Sequence, residues 1–211
     1  MEKYIFLDFN GTVLDDVDLC LNLLNTMLVE KKHKALNLVE YKNVFTFPII
    51  EYYKKAGFDF VGYTFNELAD YFIVEYTKRN VTEASIYPDF SNFMDEVKKK
   101  GYKVVLCSAS KKVLLIDQLK EFGIYDRFDD VIGLDDHFAV SKLELAKEYI
   151  KNKNVDLANS YFIGDTTHDA EVGVECGLNV LLIERGHQSK EVLNSTRKPV
   201  FLSFIDVLKV L

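Results

Sequence analysis

Tyr4-Ile5-Phe6-Leu7-Asp8-Phe9-Asn10-Gly11-Thr12 opens on four apolar residues in succession and then breaks into a carboxylate, an amide and a glycine. Alternating polarity would mark a strand with one wet face. Unbroken apolarity marks a strand buried on both faces, as in a parallel sheet sandwiched between helices. Four further runs share the character, at 103–107, 130–132, 161–163 and 179–183. Between them the periodicity is helical. Residues 90–100 place Phe93, Met94 and Val97 on one face and stop at Gly101, residues 112–122 stop at Gly123, and residues 169–176 stop at Gly177. Glycine is favoured one position past a helix end, where the backbone turns left-handed. This alternation predicts an α/β fold with a doubly wound parallel sheet.

Composition agrees with a folded globular protein. The 211 residues are 48% hydrophobic and 28% charged, with only 3 Pro and 10 Gly, which excludes disordered and collagen-like classes. The net charge is −7, and basic runs are as short as Lys31-Lys32-His33-Lys34 and Lys98-Lys99-Lys100, so neither nucleic acid nor an anionic membrane is an expected partner. Cys20, Cys107 and Cys176 are odd in number and lack metal-ligand spacing. They read as reduced thiols in a cytoplasmic protein. The N-terminus reaches Asp8 too early for a signal peptide or a membrane span. A monomer or small homo-oligomer is expected.

Residues 8–102 separate the first run from the second, far more chain than one crossover helix needs. An inserted module is predicted at 15–87, between core segments 1–14 and 88–211. It begins with Leu19, Leu23, Leu24, Met27 and Leu28 at helical spacing and is crowded with aromatics after residue 45. A small helical cap fits, in which Phe47, Tyr52, Lys54 and Arg79 are candidates to meet a substrate.

Three apolar runs lead into reactive groups: Asp8, Ser108, and Gly164-Asp165. In a parallel sheet those ends share one edge, where open α/β sheets bind ligands at the switch in strand order. Asp169 adds a third carboxylate beside Asp8 and Asp165. Such a cluster of like charge calls for a cation, and Mg²⁺ suits hard oxygen ligands.

This ordered set, Asp8-Phe9-Asn10-Gly11-Thr12-Val13, a strand ending in Ser108, an isolated Lys142, then Gly164-Asp165 with Asp169 four residues on, resembles the haloacid dehalogenase superfamily. More narrowly it resembles the phosphoglycolate-phosphatase-like branch with a helical cap after the first motif. The likeness spans the chain. It implies a Rossmann-like core and hydrolysis of a small phosphate ester, such as a phosphoglycolate-like metabolite, through an aspartyl-phosphate. It assigns Asp8 as nucleophile. It gives Mg²⁺ to Asp8, Asp165 and the main-chain carbonyl of Asn10, with Asp169 ligating directly or through water; the alternative for Asp169 is a carboxylate stabilising a helix N-terminus. Ser108 would bond a phosphoryl oxygen together with free backbone N–H groups of Gly11, Thr12 and Ala109. Lys142, followed by Leu143 where the family has Pro, would neutralise phosphate and nucleophile, with Lys111 and Lys112 as substitutes.

Asn10 departs from the pattern. Phosphatases of the family carry an Asp there as general acid and base, and losing such a group costs ~10²–10⁴-fold in rate. A slow or specialised phosphatase, an engineered Asp-to-Asn variant and a non-catalytic binder of phosphate esters are all compatible, as is a metal-independent dehalogenase, which also lacks this Asp. Retention of Asp8, Ser108, Lys142 and Asp165 favours a catalyst, and Asn10→Asp is expected to restore alkyl-ester hydrolysis. No role is assigned to His33, His137, His168 or His187. Asp15-Asp16 and Asp135-Asp136 read as solvated loops or helix caps, and Arg185-Gly186-His187-Gln188-Ser189 has no derived role.

Overall fold

The computed structural model describes residues 1–134 and 141–211; Asp135, Asp136 and His137 lie outside them. The chain runs β1 (Lys3–Leu7), β2 (Leu14–Asp15), α1 (Val17–Glu30), α2 (Leu38–Val44), α3 (Ile49–Ala56), α4 (Phe65–Glu83), β3 (Ser85–Ile86), α5 (Phe90–Lys99), β4 (Tyr102–Lys111), α6 (Lys112–Glu121), β5 (Asp130–Leu134), α7 (Lys142–Asn152), β6 (Tyr161–Gly164), α8 (Thr167–Glu175), β7 (Asn179–Ile183), α9 (Lys190–Asn194), β8 (Val200–Phe201) and α10 (Phe204–Val207).

Among the described residues the main sheet has the order β5-β4-β1-β6-β7-β8, with every neighbouring pair parallel. The period-2 pleat divides β1 between two cores. Ile5 and Leu7 pack with Val104, Leu106 and Ile163 against Phe93 and Val97 of α5. Tyr4 and Phe6 pack with Val105 and Phe162 against Ala146 of α7 and Val172 of α8. Both faces are dry, so the run carries no polar residue. The short edge strand β8 adds a sixth member that the sequence runs did not reveal. β4 continues through a register irregularity after Cys107 to Lys111, so Ser108 lies inside the strand and not at its end.

The long excursion leaves the sheet through β2 and returns through β3, which pair antiparallel with Leu14 opposite Ile86 and Asp15 opposite Ser85. Between them α1 to α4 bury their own cluster, in which Leu24, Met27 and Leu28 meet Tyr41, Tyr53 and Phe58. Capping boxes start α2 at Asn37 with Glu40 and α4 at Thr64 with Glu67, each satisfying backbone donors that a helix start leaves unpaired. Arg185 secures the return: its guanidinium lies 3.7 Å from the Tyr87 ring centre and bonds both Asp89 oxygens at 2.9 and 3.1 Å. No helix among the described residues is long and apolar enough to cross a membrane.

Candidate active site

β1 lies between β4 and β6, and Leu7 stands opposite both Leu106 and Ile163. The Asp8 N–H extends the ladder by donating to the Ile163 carbonyl at 2.9 Å. Asp8, Ser108 and Asp165 therefore reach one sheet edge at the place where strand order reverses. Lys142 arrives there as the first residue of α7, whose start is fixed by a capping box between Ser141 and Glu144. Its Nζ donates to Asp8 Oδ1 at 2.5 Å and to Asp169 Oδ1 at 2.6 Å, and the residue is only 4% exposed. A solvated helix-start lysine is thereby ruled out. Lys111 ends β4 at the N-cap position of α6, and Lys112 is the first residue of that helix.

Asp169 is held by its own helix as well. Its Oδ2 accepts from the Thr166 hydroxyl at 2.6 Å and from the N–H groups of Thr166 and Asp165 at 2.9 and 3.2 Å. Both oxygens are thus engaged, one in the α8 capping box and one with Lys142. Burial alone would raise this carboxyl, yet Lys142 and the Thr166 hydroxyl keep it below the usual carboxylate range. Asp165 accepts from the Thr12 hydroxyl at 3.0 Å and from the His187 N–H at 2.6 Å. Burial pushes Asp165 up to about 6 and Asp8 up to about 8, with neighbouring carboxylates adding to the burial of Asp8 against the pull of Lys142. Carboxylate oxygens of Asp8, Asp165 and Asp169 all lie within 4.8 Å of one another. This crowded all-oxygen donor set, in which Asp8 and Asp165 are raised, fits a hard divalent cation.

The expected phosphate nest is corrected by the turn after Asp8. The Gly11 N–H already donates to the Leu14 carbonyl at 2.9 Å and to Asp16 Oδ1 at 3.0 Å, and the Thr12 N–H donates to the Phe9 carbonyl at 3.2 Å. Neither is free. Ser108 is buried, its Oγ accepting from the Ser110 N–H at 3.1 Å, which leaves its own proton to give. Ala109 is exposed beside it.

Asp16 takes the N-cap position of α1, one of the two places expected for it, but it is 1% exposed and not solvated, and its side chain makes no cap hydrogen bond. Its Oδ1 lies 3.2 Å from His187 Nε2, and its Oδ2 accepts from Asn10 Nδ2 and from the Tyr76 hydroxyl, both at 2.7 Å. His187 Nδ1 meets the Tyr41 hydroxyl at 2.7 Å. Burial lowers the imidazole, but Asp16 outweighs it and lifts His187 to about 9, while His187 and the other donors hold Asp16 below its usual range. The two form a buried ion pair. Gly186 and Gly11 admit this arrangement: a Cβ on either would collide with the Asp165 carboxylate, and Gly11 also takes φ +73°.

A family model for haloacid dehalogenase-like hydrolases matches residues 4–183. The chain belongs to that family. Among curated proteins it is 21% identical over 140 residues to a soluble P-type ATPase-like phosphatase of Methanocaldococcus jannaschii, a match covering 64% of this chain and 47% of that one. The chain spans about half the length of this curated relative. A haloacid dehalogenase-like hydrolase from Streptococcus pneumoniae superposes with a TM-score of 0.82 at 18% identity, covering 99% of this chain and 98% of the other. A protein from Haemophilus somnus described as a predicted phosphoglycolate phosphatase gives 0.75 at 17% identity, with 99% and 97% covered. Identities this low establish the shared fold.

Relative to the haloacid dehalogenase-like pattern, sequence reading missed Asp16, Tyr76, His187 and Gln188. Gln188 accepts from the Thr167 N–H at 2.7 Å and donates to the Phe45 carbonyl at 2.8 Å, joining α8 to the helical excursion. Lys42 Nζ likewise reaches the Arg185 carbonyl at 3.0 Å. The available signal was Asp16 six residues after Asn10, a second acid beside a missing one. Of the residues proposed to face substrate, Tyr52 is buried against Tyr41 and Phe45, while Lys54 and Arg79 pair with Glu51 and Glu83 on exposed helix faces. Phe47 packs on His168 at 4.9 Å, which places it at the seam with the sheet edge. His33 lies within the excursion, 2.8 Å from the Tyr63 hydroxyl.

Proposed function

We propose that the protein is a Mg²⁺-dependent phosphatase acting on a small phosphorylated organic molecule through an aspartyl-phosphate at Asp8. The observation that carries this reading is the placement of Asp8 at the sheet switch point, bonded to Lys142 and ringed by Asp165 and Asp169. The phosphatase names among the relatives agree with it. Asp8 and Asp165, with the Asn10 main-chain carbonyl, would hold Mg²⁺, which would neutralise phosphoryl charge and align the phosphate. Asp169 acts by orienting Lys142. Asp8 attacks phosphorus, the bond to the leaving oxygen breaks, and Ser108 with Lys142 bonds the phosphoryl oxygens. Water then attacks phosphorus, the bonding pair returns to Asp8, and the water's proton goes to solvent.

Residues 15–87 are the cap in this proposal, shielding the site from water. The acidic ring disfavours the metal-independent dehalogenase reading, which has no use for it. Three free, buried cysteines fit a reducing cytoplasm. Phosphate release from a panel of phosphorylated metabolites, with Mg²⁺ and with EDTA, tests the reading. Release that requires Mg²⁺ and vanishes in Asp8→Asn supports it. Release unaffected by either change overturns it.

A further inference from the structure

The carboxylate of Asp16 collects a ring of donors: the Gly11 N–H at 3.0 Å and His187 Nε2 at 3.2 Å on one oxygen, and Asn10 Nδ2 and the Tyr76 hydroxyl at 2.7 Å on the other, with Cys20 Sγ at 3.6 Å. A carboxylate paired with an imidazolium only accepts, so the side of the Asn10 amide that faces it has to be the NH₂. The single Tyr76 proton is also directed at Asp16, so its oxygen offers Asn10 a lone pair, and Nδ2 lies 2.6 Å away. Asp16 Oδ2 and the Tyr76 oxygen are themselves only 2.7 Å apart, too close to take one amide proton each, so they share the NH₂ and fix which side of the Asn10 amide faces them. Its Oδ1 takes no hydrogen bond among the described residues.

We propose that Asp16 and Tyr76 are positioning residues that lock Asn10 as a fixed acceptor, so that the site serves phosphates whose leaving group departs as a stable anion, acyl phosphates above all. The inference rests on the phosphatase reading and turns it away from alkyl phosphates. As Asp8 bonds to phosphorus, the bond to the leaving oxygen breaks and its electron pair leaves with that oxygen, which receives no proton. A carboxylate or phenolate tolerates this. An alkoxide does not, and a locked carbonyl lone pair offers it no help.

The geometry also revises the expected effect of Asn10→Asp. The new carboxylate would face Asp16 Oδ2 at the distance now spanned by a hydrogen bond, 2.7 Å. Two carboxylates so close share a proton or separate, and a proton held between them is not held for the leaving oxygen. The reciprocal exchange is different. In Asn10→Asp with Asp16→Asn, residue 16 keeps an oxygen toward Gly11 and His187 and turns its NH₂ toward residue 10. Tyr76 is then able to donate to residue 10, whose second oxygen stands where Oδ1 stood.

The test compares kcat/KM for acetyl phosphate and p-nitrophenyl phosphate with that for 2-phosphoglycolate and glycerol 3-phosphate, in wild type, N10D, D16N and N10D/D16N. Urea midpoints of the same four proteins give a double-mutant cycle that does not depend on activity. Wild type should prefer the activated phosphates, N10D should leave that preference in place, and the double exchange should recover a large part of the ~10²–10⁴-fold that a positioned acid supplies to alkyl esters. The urea midpoint should fall in N10D and return in N10D/D16N. Equal recovery in N10D alone, absence of leaving-group preference in wild type, or additive urea shifts would overturn the lock. Strong coupling in urea with no hydrolysis of any of the four compounds would instead overturn the phosphatase reading while the lock stands.

Discussion

Lys142 Nζ bridges Asp8 and Asp169, at 2.5 and 2.6 Å, inside a pocket that admits almost no solvent. One ammonium thus sits among three buried acids, and its removal leaves Asp8 and Asp169 without their ion-pair partner. Breaking a buried ion pair from one side costs about 3–5 kcal/mol. Lys142→Met should lose stability of that order in urea and lose phosphatase activity. Mg²⁺ should restore part of the stability and none of the turnover that depends on Lys142 meeting the phosphate. A variant as stable and active as wild type would remove Lys142 from the site.

Metal binding is readable without catalysis. A cation that binds only the folded chain raises its stability by mass action, so Mg²⁺ should raise the thermal midpoint. Asp165→Asn and Asp8→Asn should each abolish the increase. Asp169→Asn should weaken it less, because both Asp169 oxygens are engaged with Lys142 and the α8 cap. An equal loss in all three variants would make Asp169 a direct ligand.

Gly186 lies against the Asp165 carboxylate. A methyl group placed there has to displace that side chain, and overpacking of this kind costs about 1–3 kcal/mol. Gly186→Ala should lower the thermal midpoint and reduce the Mg²⁺-induced increase together. Thermal scans with and without Mg²⁺ check both effects.

The sheet and its edge were legible because strands buried on both faces leave a continuous apolar signal, as in Tyr4 to Leu7, and because Asp8 and Asp165 follow such strands directly. Lys142 was legible only through family likeness; nothing in its local sequence distinguishes it from a solvated lysine. The Asp16 network was hidden for a different reason. Asp16, Tyr76 and His187 come from three distant stretches, and only the folded excursion brings them together around Asn10. The free N–H groups expected at Gly11 and Thr12 failed because a tight turn uses its own donors. The edge strand β8 is too short to give a periodic signal.

The Asp16–His187 pair fixes how stability should depend on pH. His187 is lifted to about 9 in the folded chain, mainly by Asp16 acting against the lowering effect of burial. A free histidine titrates near 6.5. A group raised on folding stabilises fully below its unfolded pKa and loses that contribution as pH rises through the folded value. The His187 share should therefore be complete below about pH 6.5 and decline, by on the order of 3 kcal/mol, toward pH 9. Asp16 has the opposite sense: its carboxyl is depressed, so its share is present at neutral pH and lost as acid protonates it. Asp8, raised to about 8, adds a decline of the same sign as that of His187, beginning in the usual carboxylate range. The two are separated by difference. Urea unfolding of wild type and His187→Gln across pH 6 to 9 should converge at the alkaline end, with wild type the more stable near pH 6. Parallel curves would show that His187 is neutral in the folded protein and that Asp16 is held by uncharged donors alone.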